Sequence, residues 1–315
     1  MTHTDDIQTE EGYTPFSILI LGNGFDKDLG MKTAYRDFAE STFWPFTNLS
    51  NKDQGSLACF LNERKEEVNT WFDLEELLAE FAQNINKTIE QAEKDFQDLD
   101  KVIKSLKEYL QAQEDEFCKK MDTTTHAKRD TPARNVLQKI IRNKKEYKIY
   151  TFNYTNVYRI ARKIILEAEG KIFYHIHGSI RDNNIILGTG DQREINPAYF
   201  GFYKSANSSY ASSNLVEDLA KADEVYIFGH SLGTNDHDYF FDFFQDCIHY
   251  RQNPNSHRKR KIRIFTYDDN SELGIKKQLM KLTDRHLIGL YAHCDFKILK
   301  TCPKYQDSWM LDDDF

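Results

Sequence analysis

The fold can be predicted from the stretch Ser17-Ile18-Leu19-Ile20-Leu21-Gly22-Asn23-Gly24-Phe25-Asp26. Its apolar half has the length and β-branched content of a strand buried on both faces, as in a parallel sheet. Gly22 and Gly24 then predict a tight turn that residues with side chains resist, and an amphipathic helix is expected from Thr33. Without side chains, the glycines would let a phosphate approach backbone N–H groups near a helix N-terminus. A phosphate-binding turn is the functional interpretation, and a purely structural turn is the alternative.

Length, charge and cysteine content narrow the classes of protein to consider. The 315 residues suffice for one large domain or two smaller ones. The five cysteines are scattered, with no Cys-x-x-Cys pair, which fits a reducing compartment and predicts no structural zinc or other metal site. Because residues 1–15 lack a secretion signal and no apolar run reaches membrane-spanning length, we expect a cytoplasmic protein without a membrane partner. The net charge of −8 argues against a nucleic-acid partner, and the basic cluster 257–261 is expected to be a solvated loop.

Residues 52–130 differ in composition from the rest of the chain. They are rich in Glu, Lys, Gln and Leu, contain Gly55 but no other glycine and no proline, and carry apolar residues at helical spacing from Leu74 to Ile85. We therefore predict an all-helical insertion subdomain at 52–130. Its polar second half, residues 86–121, is expected to form a long helical arm or an oligomer contact.

The other two segments, residues 1–51 and 131–315, alternate between apolar runs and helical patterns. After the first strand, further strands are predicted at 147–152, 172–176, 185–187, 224–228, 262–267 and 296–299. This alternation predicts an α/β domain with a doubly wound, mostly parallel Rossmann-like sheet. The polar motifs follow strand ends, and ligands bind at that edge of open α/β sheets. We therefore expect one site to collect Gly22-Asn23-Gly24, Asn153, His177 and Gly229-His230-Ser231.

His177 and Asn153 are the candidate catalytic residues at this edge. A neutral imidazole could take a proton from a ribose hydroxyl or a water near neutral pH. The Asn153 amide both donates and accepts hydrogen bonds, so it could hold a water or a carboxamide in place. Each residue also has a structural interpretation, His177 as a satisfied histidine at a strand edge and Asn153 as a turn or N-cap residue.

Two aspartates are candidates for stabilising positive charge. Asp73 opens a predicted helix in the insertion, where capping is the ordinary role of a carboxylate. If the helical insertion places the Asp73 carboxylate at the site, that carboxylate could instead stabilise an oxocarbenium-like ribosyl cation. The same two interpretations apply to Asp26.

Gly229-His230-Ser231-Leu232-Gly233 also matches the Gly-x-Ser-x-Gly nucleophile elbow of α/β-hydrolases. Asp268 or Asp269, followed by His286 or His293, would complete the order Ser, acid, His. However, an elbow needs a helix directly after the serine, and here residues 232–235 intervene. A serine hydrolase using Ser231 is therefore an alternative to the nucleotide-binding interpretation.

Five motifs, in the same order, resemble the AbiH family of phage abortive-infection proteins over nearly the whole chain. They are Leu21-Gly22-Asn23-Gly24-Phe25-Asp26 with Gly30 and residues 33–38; Trp71-Phe72-Asp73-Leu74-Glu75; Phe152-Asn153-Tyr154-Thr155; His175-Ile176-His177-Gly178; and Gly229-His230-Ser231-Leu232 with Asp236. The resemblance implies a role in phage defence.

Some of these segments are also similar, more distantly, to sirtuin-like NAD-binding domains. That resemblance implies NAD as substrate or ligand, His177 as general base toward the ribose, and Asn153 as the residue that positions water. Thr155 stands where sirtuins have Asp, Lys32 stands where they have Pro, and the zinc-binding cysteines are missing, so a protein deacylase is not expected. The predicted cofactor-binding residues are Gly22, Asn23, Gly24, Asp26, Thr33, Arg36, Gly178, Gly229, His230 and Ser231.

Together these features predict a phage-defence effector that binds NAD or a related nucleotide and hydrolyses its N-glycosidic bond. A non-catalytic nucleotide sensor or switch would keep the glycine turn without needing His177. For such an effector we expect a homo-oligomer formed through the helical insertion, or a phage-derived trigger that binds there.

Overall fold

The chain folds around an open parallel sheet. The computed structural model describes residues 14–50, 55–67, 71–83, 87–123, 130–208, 210, 214–249 and 259–305. The strands are β1 Phe16–Leu21, β2 Glu146–Thr151, β3 Phe173–His175, β4 Glu224–Phe228, β5 Lys261–Thr266 and β6 Asp295–Lys300. Their order across the sheet is β3-β2-β1-β4-β5-β6, and all pairs are parallel. This is the predicted doubly wound arrangement, and the strand order reverses between β1 and β4.

Helices connect the strands. The α-helices are α1 Asn23–Asp28, α2 Tyr35–Ala39, α3 Leu57–Arg64, α4 Trp71–Ala82, α5 Ile89–Thr123, α6 Pro132–Asn143, α7 Val157–Ile164, α8 Leu215–Lys221, α9 His237–Ile248, α10 Asp269–Leu282 and α11 Ile288–His293. Short 3-10 helices occupy Lys65–Glu67, Leu166–Ala168, Pro197–Phe202, Lys204–Ala206, Thr234–Asp236 and Pro303–Tyr305. Within the described residues, none of these helices combines the length and the apolarity needed to cross a membrane.

Both faces of the sheet are covered by apolar side chains of helices. On one face, Leu19 and Leu21 of β1 share a buried cluster with residues of α1, α6 and α7. On the other face, Ile18 and Ile20 share a cluster with α8, α9, α10 and α11. The alternation of successive β1 side chains between two buried faces explains why this strand is apolar throughout.

Helices α3, α4 and α5, which lie between β1 and β2 in sequence, form what we call the helical layer. They share a third apolar cluster with α2 and with residues 197–202. Helix α5 is 35 residues long, and its buried residues run from Ala92 to Met121. Its C-terminal part, including Phe117, packs in the cluster of α6 and α7. The helix therefore packs along its length on its own chain instead of projecting as the predicted arm.

Three local predictions were wrong. The chain becomes helical at Asn23, and α2 begins after Ala34 because the Thr33 hydroxyl donates to Asn23 Oδ1 (2.6 Å) instead of capping that helix. Residues 185–187 are not a strand, since their buried apolar side chains pack in the molecule's interior while Ile186 N–H donates to the His177 carbonyl. Residues 257–258 of the basic cluster lie outside the described part of the structure, whereas Arg260 is buried and donates to the Ala220 carbonyl, and Lys261 begins β5.

Candidate functional site

Gly22, Gly24 and Gly229 bring two loops into direct backbone contact where β1 and β4 end. A Cβ atom on Gly22 would lie 2.5 Å from His230 Cα, and one on Gly24 would lie 2.5 Å from Gly229 Cα. Gly229 itself has a φ of +65°, a conformation that L-residues disfavour. We call these three residues the glycine junction. Gly22 has an ordinary φ of −114°, so the predicted reason for its glycine was wrong: it permits close packing and not an unusual turn.

The amide hydrogens of the glycine junction are already used. Gly22 N–H donates to the Phe228 carbonyl (3.0 Å) and Gly24 N–H donates to the Gly229 carbonyl (2.9 Å). Phe25 N–H turns back to the Gly22 carbonyl. The amides of Gly22 and Gly24 are therefore not available to a phosphate in this conformation, because backbone carbonyls at the end of β4 accept their hydrogen bonds.

A cavity of about 680 Å³ opens beside the junction, along the carboxyl ends of the strands. Its size is typical of small-molecule sites, and it lies at the edge where open α/β sheets bind ligands. The structure brings ten of the predicted binding and catalytic residues to its wall: Gly22, Asn23, Gly24, Asp26, Thr33, Asn153, His177, Gly229, His230 and Ser231.

One side of the cavity, which we call the polar wall, contains Asp26, Asn153 and Thr155. All three are at least 95% buried, with exposed fractions of 1%, 5% and 1%. The Thr155 hydroxyl donates to Asp26 Oδ2 at 2.8 Å. Asp26 Oδ1, Asn153 Oδ1 and Asn153 Nδ2 make no hydrogen bond of acceptable geometry with the described residues. Asn153 nevertheless lies close enough to Asp26 to lower the pKa of its carboxyl group. Buried polar groups are normally hydrogen bonded, so these atoms are available to a ligand or a water.

The environment of Asp26 changes its acidity. Burial raises the pKa of Asp26 from 3.8 to about 7, although the hydrogen bond from Thr155 and the nearby Asn153 amide both act to lower it. A carboxyl group with this pKa exchanges a proton near neutral pH, as acid–base catalysts do.

His177 and His230 approach the same carboxylate. His177 Nε2 lies 3.2 Å from Asp236 Oδ1, and His230 Nε2 lies 3.3 Å from Asp236 Oδ2. Burial, together with the charge of the nearby Lys204, lowers the pKa of His177 from 6.5 to about 4, against the opposing effect of Asp236. The imidazole is therefore neutral at physiological pH. Among the described residues, no group of three or more His, Cys, Asp or Glu side chains could hold a metal ion.

Behind Asp236 lies a buried ion pair between Lys204 and Glu75. Lys204 Nζ is 2.8 Å from Glu75 Oε1 and 3.3 Å from Asp236 Oδ1. Burial would lower the pKa of Lys204, but the two carboxylates raise it above its usual value. Burial raises the pKa of Glu75 to about 7, while the same surroundings, chiefly Lys204, hold the pKa of Asp236 well below its usual range.

Two predicted site residues lie outside the cavity lining, and the placement of a third stays a prediction. Arg36 does not line the cavity and contacts Glu40 and the Glu66 carbonyl. Gly178 also lies outside the lining, in a turn with φ of +72°, where a Cβ atom would lie 1.8 Å from the Asn184 carbonyl oxygen. Asp73 is in the first turn of α4, and its side chain is outside the described part of the structure.

The segment around Ser231 lacks the architecture of a nucleophile elbow. The left-handed residues are Gly229 and Leu232, and the next helical turn begins only at Thr234. Asp268 caps α10 through Ser271, while Asp269 contacts Lys300 and Tyr305. Neither carboxylate is thus positioned on a histidine as the acid of a catalytic triad must be.

Sequence reasoning missed the roles of Glu75, Lys204 and Asp236. Glu75 and Asp236 belong to motifs quoted above, but nothing in those motifs indicates that the two carboxyl groups share a lysine. Lys204 follows an irregular segment with no motif, so its burial depends on tertiary packing that no local pattern reports.

Comparison with known proteins gives one match. The family model described as bacteriophage abortive infection AbiH matches residues 18–252. No curated protein and no solved structure matches the chain. The resemblance to sirtuin-like domains therefore stays a prediction.

Proposed function

The chain belongs to the AbiH family of bacteriophage abortive-infection proteins, and from this premise we propose that it acts by binding NAD or a related nucleotide and hydrolysing its N-glycosidic bond. The proposed site is the cavity at the carboxyl edge of the sheet. Loss of NAD would stop the metabolism on which phage growth depends, which is the outcome that abortive infection requires.

The observation that carries the proposal is the polar wall. Asp26 and Asn153 present buried polar atoms to the cavity without geometrically formed hydrogen bonds among the described residues. Leaving such groups unsatisfied costs about 1–3 kcal/mol each, so a fold keeps them where a ligand or a water completes them. Asp26 adds a carboxyl group that changes charge near neutral pH.

Each residue of the wall has a role suited to glycosidic cleavage. The Asp26 carboxylate would stabilise positive charge on the ribosyl carbon as the bond to the leaving base breaks. Asn153 would orient the attacking water, since its amide both donates and accepts. His177 would accept a proton from a ribose hydroxyl or from that water, and Asp236, 3.2 Å away, would stabilise the imidazolium formed.

The phosphates would need contacts other than the amides of Gly22 and Gly24, which are occupied. The cavity lining offers the Lys27 ammonium, the Asn23 side chain and the Ser231 hydroxyl. Asp26, Asp28, Glu75 and Asp236 make the same lining rich in carboxyl groups. The pKa of Asp26, about 7, reduces its negative charge toward neutral pH, and Lys204 balances the charge of Glu75, so both lessen the repulsion of an anionic ligand.

The direct test follows free nicotinamide released from NAD by the purified protein. We expect wild type to release nicotinamide and Asp26→Asn to lose on the order of 10²-fold or more in rate, as for removal of a group that stabilises transition-state charge. His177→Ala and Asn153→Ala should also lose activity. Arg36→Ala is the matched control, because Arg36 lies outside the cavity. A rate unchanged in both Asp26→Asn and His177→Ala would contradict the proposed mechanism.

A non-catalytic nucleotide sensor is the second candidate, and one observation favours it. With a pKa of about 4, His177 is a weak base for proton abstraction at neutral pH. Calorimetric titration with NAD distinguishes the two functions. Saturable binding that Asn153→Ala weakens, without nicotinamide release, would identify a sensor.

A further inference from the structure

Lys204 is a buried charge to which the mechanism above assigns no role. Its side chain is 1% exposed, and its ammonium lies between Glu75 of α4 and Asp236 of the 3-10 helix Thr234–Asp236. An ammonium removed from water in this way is costly unless it is paired, and here two carboxylates pair it. The question is what this arrangement does for the cavity beside it.

We propose that Lys204 is a positioning residue of the cavity: its ammonium holds the Asp236 carboxylate in place and thereby keeps His177 and His230 oriented at its two oxygens, with His177 as a neutral imidazole. The proposal concerns the same site as the proposed function. It applies whether the ligand is hydrolysed or only bound.

The contacts of Asp236 give the first argument. One oxygen faces both Lys204 and His177, and the other faces His230. A buried carboxylate with imidazoles as its close partners would favour an imidazolium, because an opposite charge stabilises the charged form. A lysine ammonium at the same oxygen opposes that preference, so the resting His177 imidazole is neutral although Asp236 still favours its charged form.

The backbone and Glu75 fix the ammonium from behind. Lys204 N–H donates to the Thr189 carbonyl, and Thr189 N–H donates to the Phe202 carbonyl, so Phe202 and Lys204 are both held against Thr189. Glu75 Oε2 accepts a hydrogen bond from Asn235 Nδ2 at 3.0 Å. The helical layer and the end of β4 thus meet at this lysine, directly behind the histidines.

The surroundings of His177 contain no other acid that could replace Asp236 in this role among its described close contacts. The rings of Phe152 and Tyr239 contact His177, and the ring of His230 contacts Asp236. Burial and the Lys204 charge both lower the pKa of the His177 imidazole. The titratable and charged groups facing it are Asp236, Lys204, His230 and Tyr239, with Glu75 behind Lys204. The charge state of His177 is therefore set mainly by burial and by the balance between Asp236 and Lys204.

The test is a histidine titration by ¹⁵N NMR on the full chain without nucleotide. In Lys204→Met, the pKa of His177 should rise from about 4 by at least about 1 unit, because Asp236 then keeps its imidazole partners but loses its ammonium. In Glu75→Gln, which removes the other charge of the ion pair and keeps Lys204, the pKa of His177 should not rise. A general destabilisation of the structure would change the pKa of His177 in the same direction in both variants.

Controls keep the outcome clear. Lys101→Met removes an ammonium that pairs with Asp98 at 2.8 Å on exposed α5 surface and should leave the His177 pKa unchanged. If Lys204→Met alone does not fold, Lys204→Met/Glu75→Gln removes both charges of the pair and is expected to show the same rise. The proposal is overturned if the pKa of His177 is unchanged in the folded variant that lacks Lys204, or if Glu75→Gln raises that pKa by the same amount. Because the pKa of His177 is measured without nucleotide, the result does not depend on whether the protein hydrolyses NAD.

Discussion

The glycine junction and the polar wall lie side by side at one edge of the sheet but differ in how their polar groups are used. At the junction, the amides of Gly22 and Gly24 are bonded to backbone carbonyls of the next loop. At the polar wall, Asp26 and Asn153 keep buried atoms without geometrically formed hydrogen bonds among the described residues. The glycines serve close packing, and the unfilled hydrogen-bonding capacity lies in side chains. The proposed chemistry therefore depends on the polar wall, and the junction holds the two loops together.

The largest expected effect is on how the free energy of unfolding depends on pH, and it comes from Asp26 in the polar wall. Asp26 keeps its proton up to about pH 7 in the folded protein, whereas a carboxyl in the unfolded chain ionises near 3.9. Its contribution to stability is thus fully present below about pH 4 and is lost as the pH rises through about 7. Asn at this position does not titrate. As the pH rises from about 4 to about 7, the free energy of unfolding of Asp26→Asn should therefore increase relative to that of wild type by roughly 4 kcal/mol.

Urea unfolding at a series of pH values measures this difference. Asp100→Asn is the matched control, since Asp100 is exposed on α5 and should give a difference that hardly varies with pH. A pH-independent difference for Asp26→Asn would mean that Asp26 is not the buried acid described here. The polar wall would then no longer contrast with the satisfied junction.

The next effect tests the packing role of the junction. Gly24→Ala places a methyl group 2.5 Å from Gly229 Cα, where backbone atoms must move, so we expect a loss of about 3 kcal/mol in the free energy of unfolding. Gly274→Ala is the control, because a Cβ atom there has nothing within 4 Å and the site is helical. That variant should gain up to about 1 kcal/mol in stability. Equal stabilities for the two variants would show that the loops do not pack as closely as described.

These contrasts also show how much could be predicted from the sequence. The strand β1, the doubly wound sheet and the gathering of Asn153 and His177 at one edge follow from apolar periodicity and from motifs placed after strands. The use of the glycine amides could not be predicted, because the acceptors belong to a loop about 200 residues later in the chain. Residues 185–187 have the composition of a strand, and only tertiary packing decides that they lie outside the sheet.

The smallest expected effect is at Ser231, which lines the cavity without the surroundings of a nucleophile. A fluorophosphonate probe should leave the protein unlabelled, because none of the hydrogen bonds between described residues joins the Ser231 hydroxyl to a histidine that could activate it. A serine hydrolase labelled in parallel confirms that the probe is active. Stoichiometric labelling that Ser231→Ala abolishes would shift the chemistry from the polar wall to the loop after β4.

The most direct test of the polar wall is the electron density of crystals soaked with NAD. The account predicts density in the edge cavity, with the ribose next to the base within hydrogen-bond distance of Asp26 or Asn153, about 3 Å. Nucleotide density that avoids both side chains, or a cavity in which ordered waters alone complete them under saturating NAD, would contradict it.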